Sequence, residues 1–468
     1  MKINRENIKT VLSLALPAVG EMILYMMIWV LDTMMVGQYG GQIAVSTVGL
    51  SSEIIYTFTN IFIAVGLSIG ITSIVARSYG SDNLHLAEEY ASIGLSIGIL
   101  IAFFISIILF IFPKTILSLA NAKEAVLING TIYMKIISLG IFFSMLTSLM
   151  NSIVRGYGNT KTPLFISILI NIVNLTLDYG LIFGKLGFPE LGIRGAAIAT
   201  SIANLSGFMF AIYYLFTKSK IKPKIKYIKN INISRFKYLI RLSIPSSLQE
   251  ASLSVSKLIN TFMIMHLGTV AFASNQIALT VESISFMPGW GFAVAATTLT
   301  GHKIGEKNIE KARDYSHTCT FLGICIMGIT GLIFLIFPSF IIKLFITNSE
   351  KQVITLGSRC LMIASLEQIP MAISMILGGS LKGFGDTKTP FLVSFISSWL
   401  LRLPLMFYFI YIVKSSVTYV WWITSIQWIF EAICLIILLG KNLINKILTY
   451  NNAIGNQIVY GLKEDVSK

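Results

Sequence analysis

Three polar side chains stand where an otherwise apolar chain has no need of them. Asp32 lies in IWVLDTMMVG, and Asn174 and Asp178 lie in NIVNLTLDYG. Asn174 and Asp178 are four residues apart, so a helix places them on one face, and Asn171 extends that face by a turn. A carboxylate inside hydrocarbon costs roughly 3 kcal/mol or more, which makes it a functional candidate by default. Two such carboxylates in one place are unstable as a pair of anions. A proton on one of them, or a Na⁺ bridging their oxygens, relieves the repulsion equally well. The chemistry on offer is reversible cation binding. The competing reading is that the polar groups only hydrogen-bond helices together.

Other charges sit in similar surroundings. Glu250 lies in PSSLQEASLSVSKL, and Lys257 follows seven residues later on nearly the same face. Two turns separate them, about 10 Å, so each eases the burial of the other without a direct pair. Both are candidates for substrate or proton handling. Glu21 is eleven residues before Asp32 on the same face and extends the lining. Glu282, Glu367, Arg402 and Glu431 look nearer to helix-bundle ends or to partners and are assigned structural roles. Nothing resembles a catalytic constellation. The four histidines are scattered, HExxH and GxSxG are absent, and GNTKT and GDTKT lack the ending of a phosphate loop. The chain is not read as an enzyme, and no organic cofactor is expected.

The elements that must hold these groups follow from composition. The 468 residues are 55% hydrophobic and 12% charged, with mean hydropathy +0.78. A soluble domain carries about 25% charged residues. Apolar stretches of about 20 residues, each able to cross hydrocarbon ~30 Å thick, recur from end to end. Only helices satisfy the backbone of an open chain in lipid, so the fold class is an all-α integral membrane protein. Twelve transmembrane spans are expected, at 10–36, 46–75, 91–112, 129–153, 164–184, 194–217, 238–266, 276–299, 317–342, 355–380, 391–413 and 418–440. With the N-terminus inside, the cytoplasmic segments carry 24 Lys and Arg against 7 outside. That bias places both termini in the cytoplasm. The four cysteines have no metal or disulfide spacing and count as small buried hydrophobes. The basic run at 218–237 has only Tyr227 and Phe236 as aromatics and no evident folded basic face for stacking, so it is read as a membrane-hugging linker and not a nucleic-acid site.

The chain is also a repeat of itself. RGYGNTKTP at 155–163 returns as KGFGDTKTP at 382–390, with six of nine positions identical. Pro17, Asp32, Thr33 and Gly40 align with Pro245, Asn260, Thr261 and Gly268, and RSYG at 77–80 aligns with HKIG at 302–305. The offsets are 225 to 228 residues. Two six-helix lobes with the same orientation imply a pseudo-twofold axis along the membrane normal and a cleft between them. The division is an N-lobe over 1–217, a basic cytoplasmic linker over 218–237, a C-lobe over 238–442 and a cytoplasmic tail over 443–468. Gly-Asn-Thr and Gly-Asp-Thr are expected to make tight turns in which Thr caps and Pro opens the next helix. At the repeat offset Asn174 and Asp178 fall on Leu401 and Leu405, so the C-lobe is expected to lack the carboxylate cluster. Pro17, inside the first span, is a candidate hinge because interior proline frees a carbonyl and kinks a helix.

These segments resemble the multidrug and toxic compound extrusion (MATE) family, and its DinF-like branch in particular. The resemblance runs through LALPAVGEMILYMMIWVLDTMMVGQYG (14–40), NSIVRGYGNTKTP (151–163), NIVNLTLDYGLIFG (171–184), RGAAIATS (194–201), LSIPSSLQE (242–250), FMPGWGFAVAATTLTG (286–301) and GGSLKGFGDTKTP (378–390). It implies a monomeric, multi-pass exporter in the plasma (inner) membrane. Cationic or amphipathic small molecules would leave the cleft as H⁺ or Na⁺ enters. It implies a cation site, a candidate Na⁺ site included, at Asp32, Asn174, Asp178, Ala196 and Thr200, with Asn151 beside the cavity and Pro17 at the bend. Glu250 matches a C-lobe carboxylate of many members. Some bacterial members carry a second C-lobe acid where this chain has Met371, a departure that points to the DinF-like branch. The runner-up is a flippase for lipid-linked oligosaccharides, a distant relative of similar architecture.

Overall fold

The computed structural model describes residues 4–120, 122, 124–346 and 350–440, so the expected tail at 443–468 lies outside the described residues. Every regular element among them is helical. All twelve expected spans are present as long helices. The first half consists of α1 (Arg5–Gly41), α2 (Ile43–Gly80), α3 (Leu84–Ile111), α4 (Glu124–Gly156), α5 (Lys161–Phe183) and α6 (Ile193–Thr217). The second consists of α7 (Ile233–Met265), α8 (Thr269–Gly305), α9 (Ile309–Ile336), α10 (Lys351–Gly383), α11 (Lys388–Ile412) and α12 (Thr418–Leu438). Eleven are long and apolar enough to cross a membrane, and α7 is the exception. Ser, Gln, Glu, Lys and Asn between 246 and 260 dilute its hydropathy, yet it runs 33 residues without a break.

The repeat is visible in the caps. Asn83 accepts from Leu86 N at the start of α3, and its repeat mate Asn308 accepts from Lys311 N at the start of α9, at 2.9 and 3.0 Å. Each side chain satisfies a donor that the helix leaves orphaned. Asn83→Ala and Asn308→Ala are each expected to lower stability by about 1 kcal/mol. A chemical-denaturation series on the purified protein checks this, and two unchanged midpoints would contradict it.

Three expectations about turns and boundaries are corrected. In the repeated motif the caps are Asn159 and Asp386, whose Oδ1 atoms accept from the backbone N–H groups of residues 161, 162, 388 and 389 at 3.0–3.1 Å. The Thr160 side chain makes no capping hydrogen bond; its hydroxyl donates to the Leu14 carbonyl of α1 at 2.8 Å. Asn and Asp win because their oxygen reaches two residues onward without straining the chain. The linker is also shorter than 218–237. It holds one short helix, Ile225–Lys229, and residues 233–237 already belong to α7. Asn232 caps that start, and the linker is pinned by ion pairs of Lys224 with Glu88 and Arg235 with Glu89. Finally, Arg155 and Lys382, counted with the loops, lie in the last turns of α4 and α10, with Arg155 buried.

Packing shows how the halves engage. The large N-lobe core takes in Leu239 and Leu242 from α7. Reciprocally, Val11, Leu14 and Ala15 of α1 join Phe292, Ala295, Ala296 and Leu299 of α8 in a cluster of their own. Residues 11 and 14 are the repeat mates of 239 and 242. The opening turns of each half's first helix therefore cross to the other half. Within a lobe, small residues bring helix backbones close: a Cβ on Gly140 would stand 2.5 Å from Ser201 Cα.

Candidate cation site and the buried charges

α1, α5 and α6 meet around Asp32, Asn174, Asp178 and Thr200. Asp178 is wholly buried, and Asp32 and Asn174 are 5% and 2% exposed. Thr200 Oγ1 lies 3.1 Å from Asp32 Oδ2 and 2.9 Å from the Ala196 carbonyl, and it accepts from Asn174 Nδ2 at 3.3 Å. The Asp32 and Asp178 carboxyls interact with one another, and Asn174 with both. The four-residue spacings place 174 with 178, and 196 with 200, on the inward stripes of two neighbouring helices. Among the described residues, Asp32 Oδ1 and both carboxylate oxygens of Asp178 have no hydrogen-bond partner. Buried carboxylate oxygens without a partner are costly. All the polar atoms gathered here except the Asn174 amide nitrogen are hard oxygens, the donor set that suits a proton or Na⁺. No group of three His, Cys, Asp or Glu suited to a metal ion occurs among the described residues. Asn171 is not part of this set. Its amide donates to Leu24 O at 3.1 Å and Ser167 O at 2.8 Å, which ties α5 to α1.

Glu21 and Asn151 form a second polar group. Arg155 Nη1 lies 3.0 and 3.2 Å from the two Glu21 oxygens, and Asn151 Nδ2 is 3.5 Å from one of them. Glu21 is therefore a neutralised partner and not a free cavity carboxylate. In the C-lobe, Glu250 is half-buried, and its strongest charged neighbour is Lys382 of α10, ahead of Lys257. Lys257 is exposed. Arg155, which opens the repeated motif, thus ion-pairs with Glu21 of the first helix, whereas Lys382 acts on Glu250 electrostatically with no ion pair among the described residues. That motif was the available signal for Arg155 and Lys382, and the loop assignment obscured it.

Of the two places expected for Glu282, Glu367, Arg402 and Glu431, helix-bundle ends or partners, the structure gives Glu367 and Glu431 buried positions beside partners. Glu367 is wholly buried midway along α10, and Glu431 is 4% exposed. Glu282 of α8 interacts with Glu367, and Arg402 of α11 offsets both. Glu431 accepts from Ser374 at 2.8 Å, from Gln427 at 3.1 Å, and from Ser397. These acids come from helices other than those carrying Asp32 and Asp178, so aligning the repeats position by position could not find them. Pro17 lies within a continuous stretch of α1, where the only non-helical dihedrals are at Gly41. Met371 is wholly buried against Met327 and Ala372.

Comparison with known proteins supplies the context. The MatE family profile matches twice, over residues 17–180 and 245–408. The two matches lie 228 residues apart, the repeat already described. A probable multidrug resistance protein NorM of Thermotoga maritima is 32% identical over 411 residues, covering 85% of each chain. A multidrug resistance protein MdtK of Yersinia pseudotuberculosis is 26% identical over 400 residues, covering 85% of this chain and 86% of the relative. Among solved structures, a multidrug resistance MATE family transporter in an outward-facing conformation superposes with TM-score 0.82 at 21% identity. It covers 94% of this chain and 96% of that one.

Proposed function

The chain belongs to the MatE family of efflux transporters, and on that premise we propose a secondary active multidrug exporter that admits H⁺ or Na⁺ as cationic or amphipathic small molecules leave. The observation that carries this is the set of three partnerless carboxylate oxygens buried between α1, α5 and α6. A coupling cation there supplies what the protein withholds, and its arrival or departure changes the charge of the site by a full unit. Asp32 and Asp178 hold the ion, with Thr200, Ala196 O and Asn174 as neutral oxygen donors.

The coupling element is α1. It carries Asp32 at one end, and its opening turns pack on the other lobe through Val11, Leu14 and Ala15. Pro17 lies between the two, about four turns from Asp32. It removes the hydrogen bond that would have tied its position to Ser13 O, so α1 can bend there as the ion binds. The bias of Lys and Arg supports termini in the cytoplasm, and with them the ends of α2, α4, α8 and α10. The family supports a plasma-membrane location. One chain supplies both lobes and the whole ion site, which supports a monomer. Met371 in place of an acid supports the DinF-like branch. A lipid-linked oligosaccharide flippase would need free cations for its diphosphate, and Arg155 is already ion-paired with Glu21.

Ethidium efflux from proteoliposomes, with pH and Na⁺ gradients imposed separately, tests the reading. One gradient or the other is expected to drive export in the parent, and Asp32→Asn is expected to lose that dependence. Movement that ignores both gradients would overturn the antiport reading and shift weight to the flippase.

A further inference from the structure

Where α2 meets α8 the two lobes touch through residues that are one another's repeat mates. Ala76 stands against Gly301, its own mate at an offset of 225. Around this pair several contacts have a twin. Ser73 Oγ donates to the Lys382 carbonyl at the end of α10. Thr298 Oγ1, the mate of Ser73, donates at 3.1 Å to the carbonyl of Arg155, the mate of Lys382. Gly80 lies so close to the His302 carbonyl that a Cβ there would overlap it, and Gly305 lies the same way against the Arg77 carbonyl. Contacts that exchange i with j across an axis are the signature of an isologous interface, here made within one chain. One pair breaks the symmetry. His302 Nε2 is 2.8 Å from Gly156 O, whereas its mate Arg77 turns to Tyr238 Oη, also at 2.8 Å.

The carbonyls used are already served. Gly158 N donates to Arg155 O and Gly385 N to Lys382 O, at 2.9 and 3.0 Å. When the lobes part, neither carbonyl is left without a partner. Separation therefore loses only the modest net value of each cross-lobe hydrogen bond, not the larger penalty of an unsatisfied group. Ser73 and Thr298 are both wholly buried in the closed contact. The arrangement holds firmly when shut and releases without strain.

We propose that Ser73, Thr298 and His302 are positioning residues of the transport cycle, forming a twofold latch that holds this end of the cleft closed and must break for the lobes to rock. They touch no substrate or ion; they set how often this end opens. The inference rests on the alternating-access reading above, but its test needs neither substrate nor gradient.

The test is a distance measurement between spin labels on Lys161→Cys and Lys388→Cys. These two sites are repeat mates, exposed, and placed one on each lobe at this end. Cys325 and Cys434 are first replaced, since Cys319 and Cys360 are buried. Ser73→Ala with Thr298→Ala should raise the ratio of long to short distances about tenfold, and adding His302→Ala should raise it further. Ser73→Thr with Thr298→Ser keeps both hydroxyls and should restore the parent distribution. Gly80→Ala and Gly305→Ala add a methyl that meets only the opposite lobe, and each should lengthen the distance with every hydroxyl intact. A parent-like distribution in the hydroxyl-loss variants would overturn the latch even if the glycine variants lengthen the distance, and so would equal lengthening by the conservative swap. Failure of gradient-driven efflux with a positive distance result would sink the antiport reading alone.

Discussion

Asp178→Asn is expected to abolish gradient-driven export while leaving the protein as stable as the parent or more so. Both Asp178 oxygens are wholly buried and without a hydrogen-bond partner. In the absence of a cation the carboxyl is a liability for the fold, so removing its charge relieves a cost instead of creating one. The same change deletes one of the two full charges available to the coupling ion. Hydrogen bonds to charged groups are worth about 1.5–3 kcal/mol, or roughly 10- to 100-fold in ion affinity. Efflux rate and denaturation midpoint, measured on one preparation, should move independently. If export and stability fell together, Asp178 would be a helix-packing residue and the cation site would be misplaced. Thr200→Ala is a graded companion. It removes a neutral oxygen within reach of Asp32, so its effect on export should be several-fold only.

Arg155→Ala should be among the most destabilising single changes in the chain. Its guanidinium is the compensating charge for Glu21, which is 6% exposed, at 3.0 Å. Removing one member of a buried ion pair strands the other, at a cost of about 3–5 kcal/mol. Replacing both with neutral groups, Glu21→Gln with Arg155→Met, should recover most of the loss, because no buried charge then remains. A double-mutant cycle on denaturation midpoints reads the coupling directly. Additive losses would mean that the pair is solvated in the working protein, with Glu21 free to line the cavity. Arg155 also presents its carbonyl to Thr298, so the alanine variant isolates the side chain while leaving that cross-lobe bond available.

Periodicity and charge made a large share of the architecture legible in the sequence. Twelve apolar spans, the duplication, and the pairing of Asn174 with Asp178 on one face all follow from local rules: the length of a helix across hydrocarbon, the spacing of like motifs, and 3.6 residues per turn. Asp32 and Asp178 were conspicuous as buried candidates for the same reason, since a charge in an apolar run stands out wherever the chain folds. Their meeting with Thr200 across 168 residues of chain is a tertiary fact, for which the family resemblance had offered the only pointer.

Partners were hidden where a charge looked ordinary. Arg155 and Lys382 sit in polar, glycine-rich motifs that read as loops, and only the fold carries them into helix ends, with Arg155 against Glu21. The C-lobe acids Glu282, Glu367 and Glu431 were visible as charges in apolar runs, but their partners on α8, α10, α11 and α12 were not, because no local rule pairs residues of different helices. The capping side chain of the repeated turn was expected to be a threonine and is Asn159, because both residue types cap helices and only the geometry of α1 gives Thr160 another acceptor. The cross-lobe contacts at Ser73 and Thr298 were beyond any local rule. A serine inside an apolar helix carries no mark of what it meets, and its carbonyl acceptor exists only once two halves of the chain are brought face to face about their shared axis.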